Sequence, residues 1–209
     1  MPEITLADEF GRAIVATIRS QGFRSAIEIG SWDGTGSTAV LIEALRHAER
    51  PSLVCLEAKP ERHEQLRKTV AAVPWVTPIC ASSVSWREVT PRTFGDVWNC
   101  YHNRLVYLRD QVKGWWDEFA VDMDNAASGY LEQHPEERYD VALIDGCEFT
   151  GWDEFRLLRN RVRCLILDDV FHAYKCARAH DTLMSDPQWR LVWASAFVRN
   201  GASIWLRTG

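Results

Sequence analysis

Four carboxylates stand directly after apolar runs that read as strands: Glu57, Asp145, Asp168 and Asp169. A fifth acid, Glu28, lies within the first such run, just ahead of the turn Gly30-Ser31-Trp32-Asp33-Gly34-Thr35-Gly36-Ser37-Thr38. Gly30, Gly34 and Gly36 allow backbone dihedrals and a closeness of approach that side chains would block, so a ligand can lie against the main chain where the strand ends. Ser37 or Thr38 is placed to cap the helix that follows. Glu57 comes about 20 residues past the turn, where one carboxylate can accept both hydroxyls of a ribose. Together these are the parts of a nucleotide-type site, with Trp32 and the segment Cys80-Ala81-Ser82-Ser83 as candidate flanks of its base. The spacing acidic-x-Gly-x-x-x-Gly-x-Gly is not the Gly-x-Gly-x-x-Gly of dinucleotide binders, which disfavours a nicotinamide-dependent oxidoreductase.

Asp145, Asp168 and Asp169 would crowd together if the strands that precede them are neighbours. Bare carboxylates that close raise one another's pKa, so the cluster calls for a cation, and a hard ion such as Mg²⁺ takes carboxylate and water oxygens in an octahedral shell. Successive strand residues point to opposite faces, so Asp168 and Asp169 reach one ion only if the chain has turned at Asp168. The other role open to Asp169 is to cap a helix beginning near Val170 or Phe171. Glu148, three residues after Asp145, and His172, three after Asp169, are candidate bases for a substrate hydroxyl, which needs only a modest base once a metal has lowered its pKa. His102 and His180 have less to recommend them.

The elements that must position these residues alternate. Ile14 to Ile18 belong to a first helix, followed by a strand Ser25 to Ile29 and a helix from about Ser37 to Arg46. A strand Ser52 to Leu56, a polar helix from about Pro60 to Val70 and a strand Val76 to Cys80 come next. Tyr139 to Ile144 and Arg163 to Leu167 are near-continuous apolar runs, as buried parallel strands are. Arg190 to Phe197 and Ala202 to Leu206 flank Asn200-Gly201, a hairpin signal. The pattern predicts an α/β fold with a doubly wound, mostly parallel sheet ending in an antiparallel hairpin. Residues from about 91 to 138 exceed an ordinary crossover, and Val97, Tyr101, Val106, Leu108, Val112, Trp115 and Phe119 recur at three- and four-residue intervals. A helical cap is expected there, closing over a ligand or serving as a dimer contact.

Composition bounds the partners. The chain has 209 residues, enough for one sizeable core, and one domain over 1–209 is the default. Its net charge of −5 comes without a basic stripe, so neither a nucleic acid nor an anionic membrane surface is an expected partner. No membrane-length apolar run and no leader-like opening is present, so a cytoplasmic location is expected. The six cysteines show no zinc-ligand spacing. Ten tryptophans, with Trp115-Trp116 in a polar context, suggest a surface that receives a ligand or another subunit, and a homo-oligomer fits the latter.

The glycine turn, the strand-end acids and the terminal hairpin resemble class I S-adenosylmethionine-dependent methyltransferases across the chain except residues 91 to 138. The closest resemblance is to the metal-dependent small-molecule and sugar O-methyltransferases. That resemblance implies a seven-stranded Rossmann-like sheet, with S-adenosylmethionine held by Glu28, Gly30, Ser31, Trp32, Gly34, Gly36, Ser37, Glu57, Ser82, Ser83 and Asp145. In it Glu28 lies near the methionine part. It further implies magnesium on Asp145, Asp168 and Asp169, methyl transfer to a hydroxyl of a small molecule or sugar, and catalysis by Asp145 with Glu148 or His172. Glu148 departs from the lysine or histidine those families carry as the base. A metal-independent O- or N-methyltransferase and a non-catalytic binding module are the alternatives within the fold.

Overall fold

Five short apolar runs form the parallel strands of a computed structural model that describes residues 4–101, 107–125 and 129–209. They are β1 (Ser25–Ile29), β2 (Ser52–Glu57), β3 (Val76–Cys80), β4 (Val141–Ile144) and β5 (Cys164–Asp168), and β6 (Trp189–Ser195) and β7 (Ala202–Arg207) complete the sheet. The order is β3-β2-β1-β4-β5-β7-β6, with β7 antiparallel to both neighbours. Every residue of β4 and β5 is buried, which is why their sequences show no polar alternation. The chain leaves β1 toward β2 on one side and later returns as β4 on the other. A crevice therefore opens past the carboxyl ends of β1 and β4, where ligands bind in open α/β sheets.

Helices cover both faces. α1 (Glu9–Ser20) and α2 (Ser37–Leu45) bring Phe10, Ile14, Ile18, Val40 and Leu41 onto one face, against Ala26, Leu53, Val141 and Ile166. α1 starts where Asp8 accepts the Gly11 N–H at 2.7 Å, a side-chain cap for an otherwise unpaired donor. α3 (Pro60–Val70) packs beside β3 through Leu66 and Val70. Between β3 and β4 come α4 (Phe94–Tyr101), α5 (Arg109–Asn125) and α6 (Tyr130–Gln133), then α7 (Gly151–Leu158) and α8 (Arg178–Ser185) flank β5. On this second face Val112, Trp116 and Phe119 of α5 join Trp86, Phe149 and Phe155 in an aromatic-rich core. Trp116 is thus a core residue rather than part of a receiving surface, while Trp115 next to it faces the crevice. Leu108 falls off the α5 stripe and is exposed. His102 and Val106 lie outside the described residues.

Three local expectations change. Gly36, not Ser37 or Thr38, is the N-cap of α2 and no side chain caps it, because the Thr38 hydroxyl donates instead to Glu28 at 2.6 Å. β4 begins at Val141 rather than Tyr139, since the Asp140 carboxylate accepts the Arg24 and Ser25 N–H groups and ends the pairing there. β6 stops at Ser195, so Asn200-Gly201 does not make a two-residue turn between strands. It closes a longer connection whose Asn200 and Gly201 carbonyls accept the N–H groups of Phe171 and Val170. That tie brings the connection to the exit of β5. Among the described residues no helix is long and apolar enough to cross a membrane.

Candidate functional site

The crevice is a cavity of about 710 Å³ whose floor is the glycine turn and whose walls come from the end of β2, the segment Asp145 to Glu148 after β4, the exit of β5 and α5. Its floor is built by close approach. Gly30 has φ +86°, and a Cβ there would lie 2.3 Å from the Asp145 carbonyl oxygen. Gly30 and Ser31 both donate their N–H to the Leu56 carbonyl at 3.1 Å, which draws the turn over β2. Gly34, φ +81°, leaves room for Leu66 of α3. Gly36 and Ser37 line the same floor, and the Ser31 hydroxyl is buried there without a hydrogen-bond partner among the described residues.

Glu57 stands at the end of β2 with each oxygen fixed by the main chain. The Trp32 N–H donates to one at 2.9 Å and the Lys59 N–H to the other at 2.9 Å. Burial raises its pKa, and these two amides with the nearby Arg62 and Lys59 oppose the rise. Trp32 itself sits at φ +48°, a conformation rare for a large side chain, and projects its ring outward under the Arg62 guanidinium, 3.5 Å away. Glu28, by contrast, does not reach the cavity: it is fully buried beneath the turn, bound by Thr38. Its carboxylate braces the floor from below, which departs from the expectation that it lies against the methionine part of a cofactor.

Ser82 and Ser83 line the wall after β3, but their hydroxyls are engaged, Ser82 donating to the Val84 carbonyl at 2.7 Å and Ser83 to Glu154. Glu154 of α7 is a wall residue that sequence reasoning missed. Fully buried, it accepts from Ser83 and from Thr150 at 2.7 Å through one oxygen, while the other has no partner among the described residues. The spacing Thr150 to Glu154 is a one-turn helical pair, but nothing local shows that the pair points inward. Burial pushes Glu154 up to about 7, and the two hydroxyls only partly offset it. A raised carboxyl favours the folded state fully below its unfolded pKa, and the advantage fades as pH rises through the folded value. Glu154→Gln is therefore expected to abolish a fall in unfolding free energy of about 3 kcal/mol between about pH 4.5 and pH 7. Denaturant melts of the two proteins across that range, compared as a difference, check it.

Asp145, Asp168 and Asp169 do converge, with carboxylate oxygens within 4.8 Å of one another. Asp168 is the last residue of β5, and the turn comes at Asp169, whose φ of +51° swings its side chain back toward Asp145. Asp169 caps no helix: the next element is a single π-helical turn, Ala173–Ala177, whose N-cap is His172. That turn carries Lys175, only 5% exposed, into the middle of the acids. Its ammonium donates to Asp145 at 2.9 Å and to Asp169 at 2.6 Å. Arg199 pairs with Asp168, and the Asn200 amide donates to Asp169 at 3.0 Å. Burial pushes Asp169 up and Lys175 down, but Lys175 with Asn200 and His172 together hold Asp169 below its usual range, and Asp145, Asp169, Asp168 and Glu148 together hold Lys175 well above its own. Burial and the Asp145 charge push Asp168 up.

A divalent ion was the expected occupant of this cluster, and the three carboxylates are the right donors for one. The remaining groups do not fit it. Two cations of the chain already serve the three acids, the ammonium taking one oxygen of Asp145 and one of Asp169 and Arg199 one of Asp168, whose second oxygen is buried without a hydrogen-bond partner among the described residues.

Beside Lys175 the cavity turns aromatic. The His172 ring lies 5.3 Å from Tyr107 and 6.0 Å from Trp115, and those two meet edge-to-face at 4.8 Å. Burial lowers His172 to about 4, with Asp169 opposing, so its ring is neutral at neutral pH. Glu148 lines the same region and makes no hydrogen bond with the described residues. His180 lies elsewhere, with the Ser203 hydroxyl and Trp205.

The fold has counterparts among solved structures. An O-methyltransferase from Bacillus cereus in complex with SAH superposes with a TM-score of 0.62 at 16% identity, covering 99% of this chain and 84% of that one. A putative caffeoyl-CoA O-methyltransferase from Staphylococcus aureus gives 0.62 at 12%, covering 99% and 87%. The O-methyltransferase TomG from Streptomyces achromogenes, involved in tomaymycin synthesis and in complex with SAM, gives 0.60 at 14%, covering 100% and 84%. With the strand order and the antiparallel β7, this decides the fold. The chain has the class I methyltransferase fold. No family model and no curated protein matches its sequence. At such identities the likeness is one of fold, and in this class I methyltransferase fold Lys175 stands among the strand-end acids without any signal in the sequence patterns that located them.

Proposed function

We propose that the protein is an S-adenosylmethionine-dependent methyltransferase acting on a hydroxyl of a small molecule. The observation that carries this reading is Glu57, held by two main-chain amides at the rim of a cavity floored by the Gly30 to Ser37 turn, where its free lone pairs suit the two ribose hydroxyls. The structural relatives captured with SAH and SAM support it. On this reading Ser31, Gly36 and Ser37 border the amino-acid part of the donor, Trp32 and Glu57 the ribose side, and Ser82, Ser83 and Asp145 the remaining wall, while Gly34, which faces Leu66 rather than the cavity, serves the turn.

The reaction needs an acceptor oxygen in line with the methyl sulfonium. An oxygen lone pair forms the bond to the methyl carbon while the electrons of the carbon–sulfur bond go to sulfur, leaving the thioether product. The hydroxyl proton must go to a base, and Glu148 is the acceptor we assign, since it lines the cavity within reach of the Lys175 charge. His172 joins Tyr107 and Trp115 in a wall that suits a planar ring better than a sugar. Of the magnesium-assisted and metal-independent versions of this chemistry, the Lys175 contacts favour the second.

Calorimetric titration tests the reading. Micromolar binding of S-adenosylhomocysteine with no binding of NAD supports it, and the reverse result replaces it with the oxidoreductase. Once an acceptor is in hand, Glu148→Gln is expected to lower kcat by about 10²- to 10⁴-fold with S-adenosylhomocysteine affinity unchanged. Unchanged turnover would move the base to His172.

A further inference from the structure

A cluster of three acids, two buried and one half-buried, at the mouth of a substrate cavity has to be neutralised by something, and an external cation and an internal one differ in what they do for a ligand. An octahedral ion keeps several coordination positions for ligands or water, so it can chelate two vicinal oxygens of a substrate. An ammonium has three N–H donors and no open coordination shell. In Lys175 two of these go to Asp145 and Asp169, and among the described residues no acceptor is taken by the third. The residue borders the cavity. Its position is also built rather than adopted by a loose side chain. The π-helical turn packs its main chain against α7 so closely that a Cβ on Gly151 would lie 2.0 Å from the Lys175 carbonyl oxygen. Asn200, brought in by the β6–β7 connection, holds Asp169 from its other oxygen.

We propose that the Lys175 ammonium takes the place of a divalent cation, excluding metal from the acid cluster and binding the acceptor through a single oxygen by its third N–H. The inference rests on the methyl-transfer reading for the identity of that oxygen, but not for the exclusion of metal. As the acceptor oxygen loses its proton to Glu148 and bonds to the methyl carbon, the Lys175 N–H donates to it and the lysine keeps all its protons. One hydroxyl then suffices, and a vicinal pair gains nothing. An aromatic acceptor carrying one hydroxyl, stacked in the Tyr107, Trp115 and His172 corner, is the substrate class this geometry takes.

The test titrates the full chain with Mn²⁺ alone, read by its electron paramagnetic resonance and by the shift in Tm. The wild type should show no saturable binding at millimolar Mn²⁺ and no shift. Lys175→Met, which bares the three carboxylates, should acquire one site at least about 10-fold tighter than any wild-type binding and a metal-dependent rise in Tm. Adding Asp145→Asn to that variant should remove the acquired site, and Lys175→Arg should stay metal-free. Saturable Mn²⁺ binding by the wild type overturns the proposal, as does a Lys175→Met protein that folds and gains no site. If Lys175→Met does not fold even with Mn²⁺ present, the wild-type titration decides in the same two directions. S-Adenosylhomocysteine binding, measured on the same wild-type sample, reports separately on the methyl-transfer reading: it can fail while metal exclusion stands, and the converse.

Discussion

A Gly30→Ala protein is expected to lose about 2–5 kcal/mol of stability and at least about 10-fold in S-adenosylhomocysteine affinity. Two costs add. The left-handed φ of +86° penalises any Cβ, and the new methyl would lie 2.3 Å from the Asp145 carbonyl oxygen and 2.8 Å from the Gly146 Cα, both backbone atoms that cannot rotate away. Relief requires β1 and β4 to part at their carboxyl ends, and that is where the cavity floor and the Asp145–Lys175 contact are built. Gly114→Ala is the control. It lies within α5 with nothing near its would-be Cβ, so alanine there should be neutral or stabilising by up to about 1 kcal/mol. Urea melts of both variants and one calorimetric titration of each check the contrast. Equal losses would mean that the turn tolerates a side chain and is not the floor described.

Glu57→Ala should weaken S-adenosylhomocysteine by about 10²- to 10³-fold, because two hydrogen bonds to a carboxylate contribute about 1.5–3 kcal/mol each and part of that is recovered by water. The loss is also indirect, since Glu57 fixes the Trp32 and Lys59 N–H groups and its removal frees the turn that it ties to β2. Adenosine, which carries the ribose but no amino-acid part, should lose affinity by a similar factor, whereas a ligand lacking the ribose should respond only through the loosened turn, and so by a smaller factor. Titrating wild type and variant with each measures the difference. A full-strength response to S-adenosylhomocysteine in the variant would take the ribose away from Glu57 and with it the main support for the proposed function.

Much of this architecture is written in local pattern. The apolar runs ending at Ile29, Leu56, Ile144 and Leu167 became adjacent strands, because a parallel strand buried on both faces is largely apolar, and the acids Glu57 and Asp168 close two of them as their last residues. The glycines of the Gly30 to Ser37 turn and the acid at Glu57 were legible for the same reason: backbone freedom and strand ends are properties of a few consecutive residues. Strand ends were less legible where a distant group competes, as Asp140 does by capping the N–H groups of Arg24 and Ser25, and as Val170 and Phe171 do by binding the carbonyls of Gly201 and Asn200. Glu28 read as a ligand-facing acid, yet the helix that follows offered it the Thr38 hydroxyl and turned it into a brace.

What the sequence by itself determined was where chemistry is possible: three aspartates at two strand ends, beside a turn able to hold a nucleotide, in one crevice. What only the tertiary structure decided was how their charge is balanced. Lys175 lies 30 residues from Asp145, on a π-helical turn with no sequence signature of its own, and Arg199 and Asn200 arrive from a connection on the far side of β7. Charge neutralisation acts through space over a few ångströms, so the identity of a buried cluster's counter-ion depends on which distant segments the fold brings there, and no pattern along the chain records it.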